Sequence, residues 1–148
     1  YVAAGREHFE DDVLTFHETI EGAASTAPDV ALLGSSLQYL EDPAGALEAV
    51  SRTGVSVLVL DRTPIHLGRS DLLTIQRVPP SIYDASYPAW ILSRDLLLER
   101  LRRLHWDVVE ELPAPERPMT TAGSREFIWT GFVLERSGAA SAPTLDAG

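Results

Sequence analysis

The chain has 148 residues, which is enough for one domain with a single hydrophobic core. Its net charge of -10 argues against the basic surface needed to bind nucleic acid or an anionic membrane. The absence of cysteine excludes a disulfide framework, a thiolate nucleophile and a cysteine-ligated metal site. The sequence has no apolar run of membrane-spanning length and no signal peptide, so it predicts a cytoplasmic protein.

The first part of the chain predicts a helix, a strand and a short helical turn. Residues 1–9 have helical character from the outset, and the chain begins at Tyr1 and not at methionine, which leads us to expect an N-terminal truncation. The β-branched and aromatic content of residues 13–18 predicts a short strand. Residues 19–26 predict a weak helical turn followed by a loop.

A strand, a helix and a second strand over residues 28–64 form the unit around which the rest of the chain is expected to pack. The apolar runs 30–33 and 55–60 predict two strands, the second apolar on both faces, as in parallel α/β sheets. Between them, Asp42 is the predicted N-cap of a helix and Pro43 its first residue. This order predicts a right-handed βαβ crossover, in which ligands bind beyond the carboxyl ends of the strands, at residues 34–36 and 61–63.

The second half predicts one more helix and three more strands. The strand predictions cover 72–78, 106–112 and 126–135, the helix starts after Ser93 and ends near His105, and residues 81–90 form an aromatic loop. Residues 1–136 therefore make up one predicted α/β domain. The Ala, Ser, Pro and Gly content of residues 137–148 predicts a disordered tail.

The segments LQYLEDP, VLVLDRTP and LTIQRVPPSIYDASYPAW resemble a bacterial group of class I S-adenosylmethionine-dependent methyltransferases linked to surface-polysaccharide gene clusters. The resemblance covers the chain up to about residue 136, and the VPPSIY and SYPAW blocks are its most specific part. It implies a Rossmann-like class I methyltransferase sheet with a C-terminal antiparallel hairpin. This chain would lack the first two strands, which carry the glycine-rich turn and the acidic residue of the cofactor site.

The resemblance implies S-adenosylmethionine as the cofactor and places part of its site on this chain. Gly34, Ser35 and Ser36 would form the wall beside the methionine part of the cofactor, and Glu18 would contact the adenine amino group. The alternative for the first three is a strand-to-helix turn that needs small residues. His17, next to Glu18, is a further candidate base, although a single histidine at a strand end is more often structural.

The candidate catalytic residues are Gln38, Tyr39 and Asp61. Related enzymes often place polar or aromatic groups facing the transferred methyl where Gln38 and Tyr39 stand, and Gln38 can position a substrate hydroxyl; the alternative is a surface glutamine beside a core tyrosine. Asp61 can act as the general base for the acceptor, or cap the loop before Pro64.

The candidate substrate-binding residues are Arg62, Tyr83, Tyr87 and Trp90. Arg62 can bind a carboxylate or phosphate of the acceptor, or pair with the neighbouring aspartate. The aromatic residues can stack on a sugar ring, or pin a long loop to the sheet. The four histidines show no metal-ligand spacing, so no metal is predicted.

The predicted function is methyl transfer from S-adenosylmethionine to a hydroxyl or amine of a small molecule, with a sugar in polysaccharide biosynthesis as the implied acceptor. The alternative is a truncated, non-catalytic α/β module that binds a partner. The two hypotheses differ in whether this chain holds the cofactor.

Overall fold

The computed structural model describes residues 1–113 and 117–138. The helices are α1 (Val2–His8), α2 (Ile20–Ala24), α3 (Pro43–Arg52) and α4 (Arg94–Arg103), with a short 3-10 helix at Leu37–Tyr39. The strands are β1 (Val30–Gly34), β2 (Val57–His66), β3 (Leu72–Arg77), β4 (Ser86–Ser93), β5 (Trp106–Pro113), β6 (Met119–Thr120) and β7 (Glu126–Arg136). None of the helices in these two ranges is long and apolar enough to cross a membrane.

Strand β2 is the centre of the sheet. The antiparallel strand β7 pairs along one edge of β2, and β5 pairs antiparallel with the other side of β7. On the opposite edge β2 pairs in parallel first with β1 and then, at Ile65 and His66, with β4. Strand β3 completes a hairpin with β4. The predicted βαβ unit and the predicted C-terminal antiparallel hairpin are both present.

Strand β2 does not end at Leu60, contrary to the expectation that residues 61–63 follow the strand. A β-bulge lets pairing with β7 resume: Leu60 pairs with Phe132 and Thr63 with Thr130, so two residues of β2 oppose the single residue Gly131. One of the two, Arg62, has the left-handed backbone conformation, with φ of 51°. The bulge therefore places Asp61 and Arg62 in mid-strand.

The strand predicted over residues 13–18 is wrong. This segment has no sheet partner among the described residues, and part of its backbone is satisfied by a side chain. Oδ1 of Asp11 accepts the N–H groups of Val13 (2.8 Å) and Leu14 (2.7 Å). The bonds from Leu14 and Val13 hold the pKa of Asp11 below its usual value, because they favour the charged carboxylate. A turn closed by a side chain has replaced the strand.

The aromatic loop predicted over residues 81–90 is also wrong in its second half, where β4 begins at Ser86. Its residues pair with β3 in a regular antiparallel register from Ser86 opposite Arg77 to Ile91 opposite Leu72. Pro88 lies within this strand. The aromatic residues had obscured a strand because their spacing of three and four positions does not match the two-residue repeat.

The core lies between the sheet and helices α3 and α4. The predicted caps of both helices are present: Asp42 accepts the N–H of Gly45 (3.0 Å), and the Ser93 hydroxyl accepts that of Leu96 (3.5 Å). The buried apolar side chains come mainly from α3, α4, β2, β5 and β7. Of the predicted tail, the structure describes only the first two residues, 137 and 138; the rest of that prediction lies outside the described ranges.

Candidate functional site

A cavity of about 640 Å³ lies between the β3–β4 hairpin and the segment that contains β6 and the start of β7. We call it the hairpin cavity. Its aromatic wall is formed by Trp90, Phe127 and Trp129, and Ile75 and Ile91 add aliphatic surface. Small-molecule sites have this size and are mostly apolar, with a few polar groups that orient the ligand.

Gln38 contributes a buried amide to this cavity. It lies in the 3-10 helix, four residues after the end of β1, and only 1% of its surface is exposed. Its Oε1 atom has no hydrogen-bond partner within the described part of the chain. A buried amide oxygen without a donor costs about 1–3 kcal/mol, so this atom is a candidate for ligand contact.

Trp90 lies between the hairpin cavity and the segment that follows the 3-10 helix. Its ring lines the cavity, and its Nε1–H donates to the carbonyl of Leu40 at 3.1 Å. The indole therefore helps to hold the 3-10 helix against β4. Trp90 thus lines the cavity and ties the 3-10 helix to β4, and its stacking on a sugar ring stays a prediction.

Three tyrosines form a cluster at the edge of the cavity. The Tyr39 hydroxyl donates to Oε1 of the cavity residue Gln76 at 3.0 Å, and the Tyr39 and Tyr87 rings meet edge to face at 5.4 Å. A hydrogen bond to Tyr83 raises the pKa of Tyr87, with smaller contributions from burial and from Tyr39. The structure thus brings Tyr39 to two candidates, Tyr83 and Tyr87, that lie more than 40 residues later in the sequence.

The carboxyl end of β1 is joined to the bulge of β2. Gly34 pairs with Asp61, and the N–H of Ser35 donates to the Asp61 carbonyl at 2.9 Å. The space over Gly34 is open, since a Cβ there would meet only Leu32, at 4.0 Å. Ser35 and Ser36 are half-buried, and within the described ranges no hydrogen bond of their hydroxyls is found. Open backbone and uncommitted hydroxyls fit a ligand at this sheet end.

Arg62 lies on the bulge and reaches toward the hairpin cavity. Its guanidinium carbon is 5.8 Å from the centre of the Trp129 ring, a cation–π arrangement with a residue of the cavity wall. The left-handed conformation of this residue is part of the bulge geometry.

Glu18 lines neither the hairpin cavity nor the carboxyl end of β1. Its carboxylate is exposed and lies 3.7 Å from the Arg6 guanidinium. The neighbouring residue His17 lines a second cavity of about 330 Å³, whose walls include Val30 and Leu32 of β1 and part of α2. The imidazole lies 3.2 Å from the Thr15 hydroxyl. The adenine-binding role of Glu18 stays a prediction.

The sequence analysis missed the wall that β6 and β7 contribute. Trp129 and Phe127 lie two residues apart on one face of β7, with their rings edge to face at 6.2 Å, and Trp129 Nε1–H points to the sulfur of Met119 at 3.4 Å. Their alternation in EFIWTG was the available signal. Thr63, fully buried on β2, was also missed; its hydroxyl has no partner among the described residues.

Across residues 1–113 and 117–138, no group of three His, Asp or Glu side chains is placed to hold a metal ion.

Comparison with known proteins gives a likeness at the level of structure. No protein-family model and no curated protein matches the chain. A solved S-adenosylmethionine-dependent methyltransferase from Methanosarcina mazei matches 91% of this chain and 74% of its own, with a TM-score of 0.53 and 11% identity. That likeness shows the fold: a Rossmann-like α/β sheet of the class I methyltransferase type.

Two further solved structures are of the glycopeptide N-methyltransferase MtfA, one in complex with S-adenosylmethionine and one with sinefungin. Each matches 73% of this chain and 57% of its own length, at 10% identity and a TM-score of 0.44. A likeness at that level carries no argument about the chemistry of this chain.

Proposed function

We propose that this chain is the carboxyl-terminal portion of a methyltransferase domain that moves a methyl group from S-adenosylmethionine to a hydroxyl or amine of a small molecule. The observation that carries the proposal is the segment from Gly34 to Gln38. It runs from the open carboxyl end of β1, the ligand-binding edge of such sheets, into the wall of a cavity of about 640 Å³. In this proposal the segment from Gly34 to Gln38 links the site of the methyl donor at the end of β1 to the site of the methyl acceptor in the hairpin cavity.

The residues at the end of β1 fit the cofactor. The open space over Gly34 admits a ligand close to the backbone, and the hydroxyls of Ser35 and Ser36 can hydrogen-bond to its polar groups. S-adenosylmethionine supplies an electrophilic methyl group when it is bound. In this proposal the Glu18 carboxylate contacts the adenine amino group. It would then leave its ion pair with the Arg6 guanidinium.

The chain itself has to orient the acceptor and receive its proton. Gln38 and Tyr39 orient the acceptor, the first from the cavity wall and the second from the tyrosine cluster. Asp61, paired with Gly34 and partly buried, takes the proton that the hydroxyl or amine loses as its new bond to carbon forms. Alignment in an enclosed site supplies most of the remaining catalysis.

The acceptor would lie against the aromatic residues and Arg62. Trp90 lines the cavity, Tyr83 and Tyr87 stand at its edge, and the Arg62 guanidinium lies beside Trp129. The sequence resemblance indicates a sugar and a place in polysaccharide biosynthesis.

The alternative, a non-catalytic module that binds a partner, is favoured by one observation. Within the described residues, β1 pairs only with β2, and its side chains Val30 and Leu32 are 52% and 65% exposed. An apolar strand with an open edge can add a strand from a partner chain. The two functions differ in whether the chain binds the cofactor.

The experiment is a calorimetric titration of the chain with S-adenosylhomocysteine, after circular dichroism has shown that the chain is folded. We expect micromolar binding that Gly34→Val abolishes, because the new side chain fills the open space over the end of β1. Asp107→Val is the control, an exposed substitution on β5, which pairs with the side of β7 that faces away from β2 and β1. A folded chain that does not bind, or a Gly34→Val variant that binds normally, would overturn the proposal for this chain.

A further inference from the structure

We infer that the hairpin cavity takes a planar aromatic acceptor with one hydroxyl or amine group, which donates a hydrogen bond to Oε1 of Gln38. The inference rests on the proposed function where it calls the ligand an acceptor. Three features of the site support it: the aromatic cavity wall, the buried amide of Gln38 and the hydrogen bonds that other polar residues of the wall make within the protein.

The wall of the cavity matches a flat apolar ligand. Trp90, Phe127 and Trp129 present aromatic rings, and Ala89 and Ile91 of β4 are buried beneath them. Aromatic rings pack on one another in stacked or edge-to-face arrangements and gain about 0.5–1.5 kcal/mol beyond the area that they bury. A ligand with its own ring can use all of this surface.

Gln38 supplies a single unused acceptor. Its side chain is buried and its Oε1 lacks a donor within the described residues. A hydroxyl or amine on the ligand satisfies this oxygen and removes the cost of leaving it unpaired. The same hydrogen bond fixes the reacting group near the end of β1, because Gln38 follows Gly34 by four residues.

Most of the other polar groups of the wall are already committed to the protein. The committed atoms are Thr74 Oγ1 (2.8 Å to the Ala89 carbonyl), Gln76 Oε1 (3.0 Å from the Tyr39 hydroxyl), Trp90 Nε1 (3.1 Å to the Leu40 carbonyl), Thr121 Oγ1 (3.1 Å from the Arg125 N–H) and Trp129 Nε1 (3.4 Å to the Met119 sulfur). The groups that remain are the Nε2 amides of Gln38 and Gln76, together with Arg77 and Thr120, which are both exposed at the rim.

This distribution disfavours a sugar inside the cavity. A sugar ring carries a hydroxyl on most of its carbons, and each one that enters an apolar cavity needs a partner or pays for its lost hydration. Gln38 Oε1 is the one buried acceptor of the wall that lacks a donor among the described residues, and it suits a ligand with one donor group. The cavity wall therefore favours an aromatic alcohol or amine over the sugar that the sequence resemblance implies.

The test is a set of calorimetric titrations of the folded chain with 2-naphthol, naphthalene and methyl α-glucopyranoside. We expect 2-naphthol to bind at least tenfold more tightly than naphthalene, because only the former donates to Gln38, and the glucoside not to bind. In Gln38→Leu, which keeps the side-chain size and removes the amide, the two aromatic ligands should bind equally. Glu48→Leu makes a similar change on the exposed face of α3, outside the cavity, and should behave as the unaltered chain does.

Equal binding of the two aromatic ligands to the unaltered chain would overturn the inference even if Gln38→Leu fails to fold. So would glucoside binding that depends on Gln38. The titration with S-adenosylhomocysteine tests the proposed function independently. If 2-naphthol binds through Gln38 and the cofactor product does not bind, the aromatic site stands and its role in methyl transfer fails.

Discussion

At the scale of single residues, the roles proposed for this chain depend on what the neighbours leave available. Gln38 keeps an amide oxygen without a donor, whereas the indole of Trp90 and the amide of Gln76 already have partners among the described residues. The Asp61 backbone is held by Ser35, which leaves its carboxylate as the part that can do chemistry. Residue type alone does not distinguish these cases.

For Asp61→Asn we expect turnover to fall at least 100-fold, because the amide cannot accept the acceptor's proton and general bases contribute about 10²–10⁴-fold. Affinity for S-adenosylhomocysteine should stay within twofold, since the backbone at residue 61 is unchanged. The measurement is release of S-adenosylhomocysteine from S-adenosylmethionine with 2-naphthylamine as the acceptor, because one of its two N–H groups can donate to Gln38 while the other loses its proton to Asp61. Asp107→Asn, an exposed change on β5, is the control. Unchanged turnover in Asp61→Asn would remove the base assignment.

For Tyr83→Phe we expect the pKa of Tyr87 to fall toward its ordinary value, because the hydrogen bond that raises it most is lost. The raised pKa favours the protonated phenol in the folded chain. Its stabilising contribution is therefore complete below a pH of about 10 and is lost as the pH rises through the folded-state pKa. The measurement is a pH titration of the tyrosine rings by NMR. Tyr1→Phe, at the exposed terminus, should leave Tyr87 unchanged; an unmoved Tyr87 in Tyr83→Phe would contradict the assignment.

At the scale of elements, the bulge of β2 links the two halves of the candidate site. It lets β2 pair with β1 up to Asp61 and with β4 from Ile65, while β7 follows the opposite edge throughout. The β3–β4 hairpin is thereby carried past the end of β1 and becomes one wall of the hairpin cavity. Bulges occur often beside functional sites for this reason.

Gly131 is the residue of β7 that admits the bulge. A Cβ at this position would lie 2.7 Å from the Leu60 carbonyl oxygen, so Gly131→Ala has to displace the backbone of β2. We expect it to lower the free energy of unfolding by about 1–3 kcal/mol, the usual cost of overpacking. Urea denaturation measures the change. Gly123→Ala, where a Cβ meets only Thr121 at 3.9 Å, should change it by less than about 0.5 kcal/mol. If the two variants lowered the free energy of unfolding equally, the contact between a Cβ at position 131 and the Leu60 carbonyl would not be the cause of the loss.

At the scale of the whole molecule, the sheet combines a well-covered part with open edge strands, of which β1 is one. The core side chains of α3, α4, β2, β5 and β7 are buried, whereas β1 exposes Val30 and Leu32 on an edge that pairs with no other described strand. Exposed apolar edges promote association between chains. The open edge is therefore the region where this chain is expected to contact other protein.

We expect the chain to self-associate in a concentration-dependent manner through β1, and Leu32→Lys to weaken that association at least tenfold. A lysine on an edge strand opposes pairing with another chain, because its charge would have to be buried. Analytical ultracentrifugation measures the dissociation constant. Leu67→Lys is the matched control: Leu67 is 86% exposed in the turn after β2, away from the edge. Association that survives Leu32→Lys would show that β1 is not the contact.

The parts of this molecule that were predictable depend on local chemistry. Asp42 and Pro43 start α3, and Ser93 starts α4, because a cap needs only the backbone of the next turn. The apolar run of β2 was recognisable because a strand that is covered on both faces has to be apolar along its length. Cofactor class and candidate residues followed from segment resemblance, and their roles are still predictions.

The rest required the tertiary structure, because it depends on which distant segments meet. Residues 13–18 have strand composition but find no pairing partner, so the Asp11 side chain decides their conformation. The bulge of β2 depends on Gly131, some 70 residues later in the chain. The hairpin cavity joins Gln38 to the aromatic wall of β4 and β7, and Oε1 of Gln38 lacks a donor there, among the described residues, while Thr74, Gln76 and Trp90 each have a hydrogen-bond partner. Composition and local pattern determine which elements form, whereas long-range packing decides which of their polar atoms remain free to bind.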